Sequence, residues 1–388
     1  MTQPGAPTRV VLVCEAAGGG VGKHVLDVAE HLPRFGFDVL LVHSSRRAEP
    51  EFAGRVARHA TYGYAVACVD VDRAPGPQDI LGTLQLRRAM RDFGGADVLH
   101  GHSAKGGALA RFARWRRARR VFYTPHAFYA QAPTLSAISR RMYGLAELGL
   151  SLATDRVIAT SREEFALARA LGIPERKLTV VENGVEVRSD VAVSQARAEA
   201  REALGLRDDE VVVGFVARLV PQKRPLLGVG TFGELARAHP KLRFVLAGDG
   251  PDAPAVSRAL TDEGLASRVR WVQRAMGREL LPAVDVLLLT SSYEGFPYVM
   301  LEGLEAGCAI VTTAVGGASE CVVPGRNGAI VPSATPEALA AAARPFIECC
   351  DRAQTARAVS RERARHFEIG RMLDRLVSLY RCDSRDAA

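Results

Sequence analysis

The sequence predicts an α/β protein of two domains, each an open, mainly parallel sheet covered by helices. Three observations carry this expectation. A chain of 388 residues exceeds one ordinary compact domain. Short apolar runs alternate with stretches of helical periodicity along most of its length. The alternation pauses over residues 186–195 and then restarts at Glu210 with a second series of similar size.

The first series opens with the continuous apolar run 10–14, the pattern of a strand buried on both faces. Gly18, Gly19 and Gly20 interrupt it, and Val21, Val25, Val28, Ala29 and Leu32 follow at helical spacing. Further strands are expected at 37–42, 65–69, 97–100, 121–124, 155–160 and 178–181. The second series places strands at 211–218, 242–247, 269–272, 285–289, 309–312 and 328–331, with helices near 335–343 and 369–380. The division expected is 1–190, 191–361, and a C-terminal helix in 362–388 that returns toward the first domain. Residues 1–8 and 383–388 read as short flexible tails.

Composition narrows the function. The chain is 48% apolar and 24% charged, enough to fill two cores beneath a soluble surface. No run approaches the roughly 18 to 20 apolar residues of a membrane-spanning helix. The opening MTQPGAP lacks a basic n-region, so export is not expected. The seven cysteines form no C-x-x-C pair, which points to reduced thiols in the cytoplasm and away from a thiolate metal site. The net charge of +8 is concentrated: nine Lys or Arg and no acidic residue lie between Asp97 and Glu147. An excess so local points to an anionic surface or ligand.

GGGVGKH, at 18–24, resembles a phosphate loop but departs from it. Ala17 stands where that loop has glycine, and His24 where a magnesium-holding Ser or Thr belongs. Two readings remain: a tight strand-to-helix turn, or a loop whose backbone closely approaches an anionic ligand. Lys23 and His24 face either the ligand or the surface. In the second half, GFVARLVPQKRP places Arg218 and Lys223 on a loop after a strand, where two cations can converge on one diphosphate. SSYEGFPYVMLEGLEAGCAIVTTAVGGASE then supplies Glu294 in a loop, Glu302 in the first turns of a helix starting near Pro297, and a close-approach turn at Gly316 and Gly317 ahead of Glu320. Two carboxylates so spaced can hold different hydroxyls of one bound sugar nucleotide.

This ordered set resembles family four of the retaining glycosyltransferases. Gly19 and Gly20, T-P-H ending at His126, V-E-N-G-V at 181–185, Arg218, Lys223, Glu294, Glu302, Gly307 and Glu320 match in order, most strongly over 212–332. The resemblance implies the GT-B architecture, two Rossmann-like domains facing each other across a donor-binding cleft, with the acceptor on the first domain. It also implies a nucleoside diphosphate sugar donor, commonly UDP-linked. By the same resemblance Arg218 and Lys223 bind the diphosphate and Glu302 the ribose. Glu294 and His126 lie by the transferred sugar, Gly19 and Gly20 by the phosphates or acceptor, and Val272 near the base. One departure is V-R-W-V-Q with Gln273, where the family carries glycine. The transfer implied is front-face, retaining, with the leaving phosphate taking the acceptor proton.

Two acceptor classes follow from these residues. RFARWRRARR, at 111–120, reads as a helix with Phe112 and Trp115 ridged among arginines, suited to an anionic membrane. That favours a cytoplasmic enzyme, peripheral on the inner membrane face, acting on a lipid-linked glycan. The alternative is a small soluble alcohol acceptor, such as a sugar phosphate or cyclitol. Other classes fare worse. An ATPase lacks the full phosphate loop, a nicotinamide enzyme the ordered G-x-G-x-x-G, and a nucleic-acid binder any base-reading motif. His100 and His102 in HGH invite a metal reading, but no acidic or thiol ligand stands near them in sequence, and they are expected in a loop or at a sheet edge. Asp70 and Asp72 read as a polar turn, and no catalytic metal is expected.

Overall fold

The computed structural model describes residues 7–72, 74–114, 118–133, 135–273 and 277–382. The chain divides into two compact units, one of Met1–Asn183 with Gly370–Ala388 and one of Gly184–Ile369.

The first unit carries strands β1 (Thr8–Cys14), β2 (Phe37–Ser44), β3 (Ala65–Val69), β4 (Ala96–His102), β5 (Ala118–Thr124), β6 (Arg156–Ala159) and β7 (Leu178–Val180), in the order β3-β2-β1-β4-β5-β6-β7. Every pairing is parallel. Helices cover both faces, so Val10, Val11, Leu12 and Val13 are all buried and the strand reads as an unbroken apolar run. Val11, Val13, Leu99 and Val121 pack with Leu86 and Met90 of the helix Gln78–Asp92 and Leu109 of the helix Ser103–Ala113. Strand order reverses between β1 and β4, which leaves a crevice beyond their carboxyl ends. The helix Ile369–Arg381 buries Leu373, Leu376 and Tyr380, and the Tyr380 ring meets Phe37 edge-on, 6.1 Å away.

In the second unit β8 (Val212–Val216), β9 (Arg243–Ala247), β10 (Val269–Val272), β11 (Val286–Leu289), β12 (Ala309–Thr313) and β13 (Gly328–Val331) form a parallel sheet in the order β10-β9-β8-β11-β12-β13. Successive side chains serve opposite faces. Val212, Leu287 and Leu289 pack with Met300, Leu301 and Leu304, whereas Val213, Val286 and Leu288 pack with Phe232, Val256 and Leu339. The order reverses between β8 and β11.

Three features differ from the sequence expectation. The pause at 186–195 contains the start of a helix, Asp190–Ala203, capped by the Ser189 hydroxyl. Another helix, Cys350–His366, also escapes the periodicity. Both are largely polar and bury small or charged side chains such as Ala200, Arg201, Ala364 and Arg361, so their apolar signal is weak.

The basic segment is the third difference. The helix ends at Ala113 and β5 begins at Ala118, so 111–120 is not one arginine-faced helix. Arg111 is buried, pairs with Glu147 at 2.9 Å and lies 3.9 Å over the Tyr123 ring. Arg114 pairs with Asp155 and Arg119 with Asp97, while Arg120 donates to the carbonyls of Tyr380 and Cys382. Much of the charge is thus spent inside the unit. Phe112 is exposed; Trp115, Arg116 and Arg117 of the expected ridge lie outside the described residues. Among the described residues no helix is long and apolar enough to cross a membrane.

Candidate functional site

In the second unit, the loops leaving β8 and β11 meet where the strand order reverses. Lys223 ends a single 3-10 turn, Pro221–Lys223, and its ammonium pairs with the Glu294 carboxylate. The two residues are 71 positions apart, and a seam of hydrogen bonds brings them together. Gln222 Nε2 donates to the Tyr293 carbonyl at 2.9 Å, and the Ser292 amide to the Gln222 carbonyl at 2.8 Å. The Arg224 guanidinium donates to the carbonyls of Thr290 and Ser291 at 2.6 and 2.7 Å. Thr290 Oγ1 donates back to the Lys223 carbonyl at 2.6 Å. Arg224 adopts φ of +47°, which costs a non-glycine side chain energy and which a residue before proline normally avoids. Its bonds to two carbonyls supply the compensation. Arg224, Gln222 and Thr290 were not singled out in the sequence. Their only signal is their place beside Lys223 and ahead of Ser291.

Arg218, on the same loop as Lys223, is exposed and makes no ion pair among the described residues. Glu294 is 9% exposed, so its carboxylate and the Lys223 ammonium are shielded but reachable. Glu302 lies on the helix Tyr298–Ala306, capped at Pro297, and its Oε2 abuts Gly277 so closely that a Cβ there would stand 2.4 Å away. Val272 ends β10, an edge strand, and Trp271 Nε1 donates to the Gly248 carbonyl at 3.0 Å. Glu320 is buried in the short helix Ala318–Cys321.

The Gly316 turn fixes the height of the Glu294 loop. A Cβ at Gly316 would lie 2.3 Å from the Gly295 carbonyl oxygen and 2.6 Å from that of Glu294, both backbone atoms. Gly316→Ala is therefore expected to push the Glu294 loop outward and destabilise the unit by about 1–3 kcal/mol. Thermal unfolding of the variant checks this; a wild-type melting point would refute the packing argument.

In the first unit, the helix Gly19–His31 starts immediately after the glycine turn, with Gly19 at φ of +53°. The Gly19 amide donates to the Glu49 carboxylate at 3.0 Å, so the chain's own anion holds that position. Lys23 pairs with Asp27, and His24 is buried rather than on the surface. His100 and His102, expected in a loop or at an edge, end the central strand β4 and are fully buried. Their partners come from far along the chain, which is why local spacing misplaced them. His100 contacts Thr124 Oγ1 at 2.8 Å and the Tyr380 hydroxyl at 2.5 Å. His102 Nδ1 lies 3.1 Å from His126 Nε2, and the His24 ring meets the His126 ring edge-on at 4.7 Å.

Burial pushes the His24 imidazole down to about 4 and holds His100, His102 and His126 well below the ordinary histidine range. The four rings are accordingly neutral at pH 7. His126 and Ala127 both have positive φ, +56° and +99°. Buried Glu164 secures this backbone: it accepts from the Ala127 amide at 2.7 Å and from the Thr160 amide and hydroxyl at 2.6 and 2.9 Å. Strain maintained in this way is typical of functional positions.

Residues 18–189 match the family described as Glycosyltransferase Family 4, and residues 196–365 the family described as Glycosyl transferases group 1. The chain is a glycosyltransferase of the GT-B fold. This glycosyltransferase is 30% identical to a D-inositol 3-phosphate glycosyltransferase of Kribbella flavida over 264 residues, 63% of the chain and 61% of that relative's length. It is 28% identical to the enzyme of the same name from Acidothermus cellulolyticus, over 97% of the chain and 91% of the relative. Among solved structures it resembles Anabaena Alr3699/HepE in complex with UDP and glucose, with a TM-score of 0.78 at 20% identity, covering 96% of this chain and 99% of that one. It also resembles the sucrose-phosphate synthase of Thermosynechococcus elongatus, with a TM-score of 0.76 at 19% identity, over 96% and 98% of the two chains. These likenesses are of fold.

The expectation of a lipid-linked glycan acceptor is overturned. The relatives that align along most of the chain are named for a small soluble acceptor, D-inositol 3-phosphate. The internal pairing of Arg111, Arg114, Arg119 and Arg120 removes much of the physical ground for the earlier expectation.

Proposed function

We propose that this glycosyltransferase moves a sugar from a UDP-sugar to a hydroxyl of a small soluble acceptor, a cyclitol phosphate or sugar phosphate, with retention at the anomeric carbon. The observation that carries the proposal is the Lys223–Glu294 pair, seated at the strand-order reversal of the second unit. A shielded ammonium on a preorganised loop offers a fixed positive charge to a departing diphosphate. Its carboxylate partner holds that ammonium and offers acceptor oxygens to sugar hydroxyls. Arg218, exposed on the same loop, supplies a second cation with a forked donor set. Glu302 takes the ribose hydroxyls, and Val272 borders the base.

In the first unit, His126 presents a neutral imidazole to the reacting sugar, and the Gly19–Gly20 turn lies by the acceptor. His102 and Glu164 are positioning residues for His126, one through its ring nitrogen and the other through the Ala127 amide. The acceptor class is supported by the relatives named for D-inositol 3-phosphate, and the uridine by the complexes of the Anabaena protein. The protein's own residues provide proximity and charge stabilisation, and the leaving phosphate takes the acceptor proton.

The test is a matrix of UDP-sugars against D-inositol 3-phosphate, unphosphorylated inositol, hexose phosphates and a lipid extract, read by mass spectrometry. The expected product is a glycosylated cyclitol or sugar phosphate. Product only in the lipid fraction refutes the acceptor, and no donor-dependent product refutes the function. In the same assay Glu302→Ala is expected to raise the donor Kd by about tenfold, the loss of one charge-assisted hydrogen-bond pair, with kcat little changed. An unaltered Kd removes Glu302 from the donor site.

A further inference from the structure

We propose that His24, His102 and His126 form a site for one divalent transition-metal ion of the zinc class, and that occupancy blocks transfer. The three side chains come from the helix Gly19–His31, the end of β4 and the turn after β5, at the reversal of strand order in the first unit. One ligand nitrogen of each lies within 4.8 Å of the others. Zinc bound tetrahedrally at 2.0–2.1 Å needs nitrogens roughly 3.3 Å apart. His102 Nδ1 and His126 Nε2 are already 3.1 Å apart, and the His24 nitrogen has to approach them to close the triangle.

Two further observations favour a ligand over simple packing. His102 Nε2 is fully buried and has no hydrogen-bond partner among the described residues, a costly state that is relieved if the ring turns to present this nitrogen, in place of Nδ1, to the ion. The outer shell is also built: the Asn183 side chain bonds His24, and the His100 ring lies 4.0 Å from that of His102, itself fixed by Thr124 and Tyr380. Such second contacts orient imidazole ligands. His126 is only half-buried, which leaves a side open for a water as fourth ligand. Three imidazoles without a carboxylate select zinc, copper or nickel over magnesium or calcium.

The metal assignment stands on this geometry. The inhibitory consequence rests on the proposed role of His126, which coordination would withdraw from the sugar. The experiment uses full-length, tag-free protein stripped with a chelator, titrated with Zn²⁺ by calorimetry and with Co²⁺ by visible absorption. One ion per chain is expected, with four-coordinate Co²⁺ bands. His24→Gln and His126→Gln, each verified as folded by circular dichroism, should weaken binding by about tenfold or more. Cys68→Ala should leave it unchanged, excluding the His43–Cys68 contact at 3.6 Å as the source.

No saturable binding by the wild type, or undiminished binding by both histidine variants, overturns the site. Zn²⁺ should also abolish transfer and a chelator restore it. Stoichiometric binding to the three histidines without inhibition overturns the blocking role alone. Zinc binding by a protein that glycosylates no acceptor counts against the proposed function and leaves the metal site intact.

Discussion

Lys223→Ala is expected to lower kcat by about 10²- to 10³-fold, the loss seen when one preorganised donor to a developing anion is removed. Nothing else on the β8 loop can replace it. Arg224 spends its guanidinium on the carbonyls of Thr290 and Ser291, and Arg218 lies exposed, where water weakens its charge. Lys223 also neutralises Glu294, so the single variant leaves a shielded carboxylate without its cation. A double variant separates the two effects. If Lys223 matters only as the partner of Glu294, adding Glu294→Gln to Lys223→Ala restores stability and activity together. If the ammonium acts on the donor phosphate, stability recovers while kcat stays depressed. Steady-state kinetics with melting curves for the four proteins of the cycle decide between them. Recovery of kcat in the double variant would remove Lys223 from the chemistry.

The fold was legible because parallel strands covered on both faces announce themselves as unbroken apolar runs. Within the expected segments 10–14 and 285–289, the apolar runs 10–14 and 286–289 form central strands, β1 and β11. The polar helices were not legible, since Asp190–Ala203 and Cys350–His366 are held by arginines and alanines rather than by an apolar stripe. In the second unit, Lys223 and Glu294 could be picked out by residue type and spacing, but their direct pairing could not. It depends on Arg224 in a left-handed conformation, which no local propensity predicts. The first unit shows the same limit more sharply. His100 and His102 looked isolated because their partners, His24, Thr124, His126 and Tyr380, lie up to 280 positions away and converge only when the sheet forms. The basic segment misled for the opposite reason. Its six arginines were visible, while Glu147, Asp155 and Asp97, which neutralise Arg111, Arg114 and Arg119, stood outside the acid-free window.

Glu305→Ala is expected to destabilise the second unit by about 3–5 kcal/mol at pH 7, the usual cost of stripping one partner from a buried ion cluster. Glu305 is 1% exposed on the helix that carries Glu302. It accepts from the Arg188 guanidinium at 3.0 and 2.6 Å and from the Arg188 amide at 3.1 Å, and Arg361 approaches at 3.2 Å. Arg361 retains Asp190 at 2.9 Å, but Arg188 would have no carboxylate left from this cluster. Burial alone would raise the Glu305 pKa, yet the two guanidiniums and the Arg188 amide outweigh it and hold the carboxyl below its ordinary 4.5. A depressed folded-state pKa means stability that is present above the unfolded value and lost as pH falls through the folded one. Wild-type stability should therefore decline below about pH 4.5, and Glu305→Gln, which cannot titrate, should decline less steeply there. Urea unfolding at pH 7 and at several values below 4.5 measures both effects, with transition midpoints compared directly because two units need not unfold as one. A loss under 1 kcal/mol at pH 7 would show that water reaches Arg188 and Arg361 well enough to replace the carboxylate. A full loss should also weaken donor binding, because the helix Tyr298–Ala306 that Glu305 anchors is the one that presents Glu302.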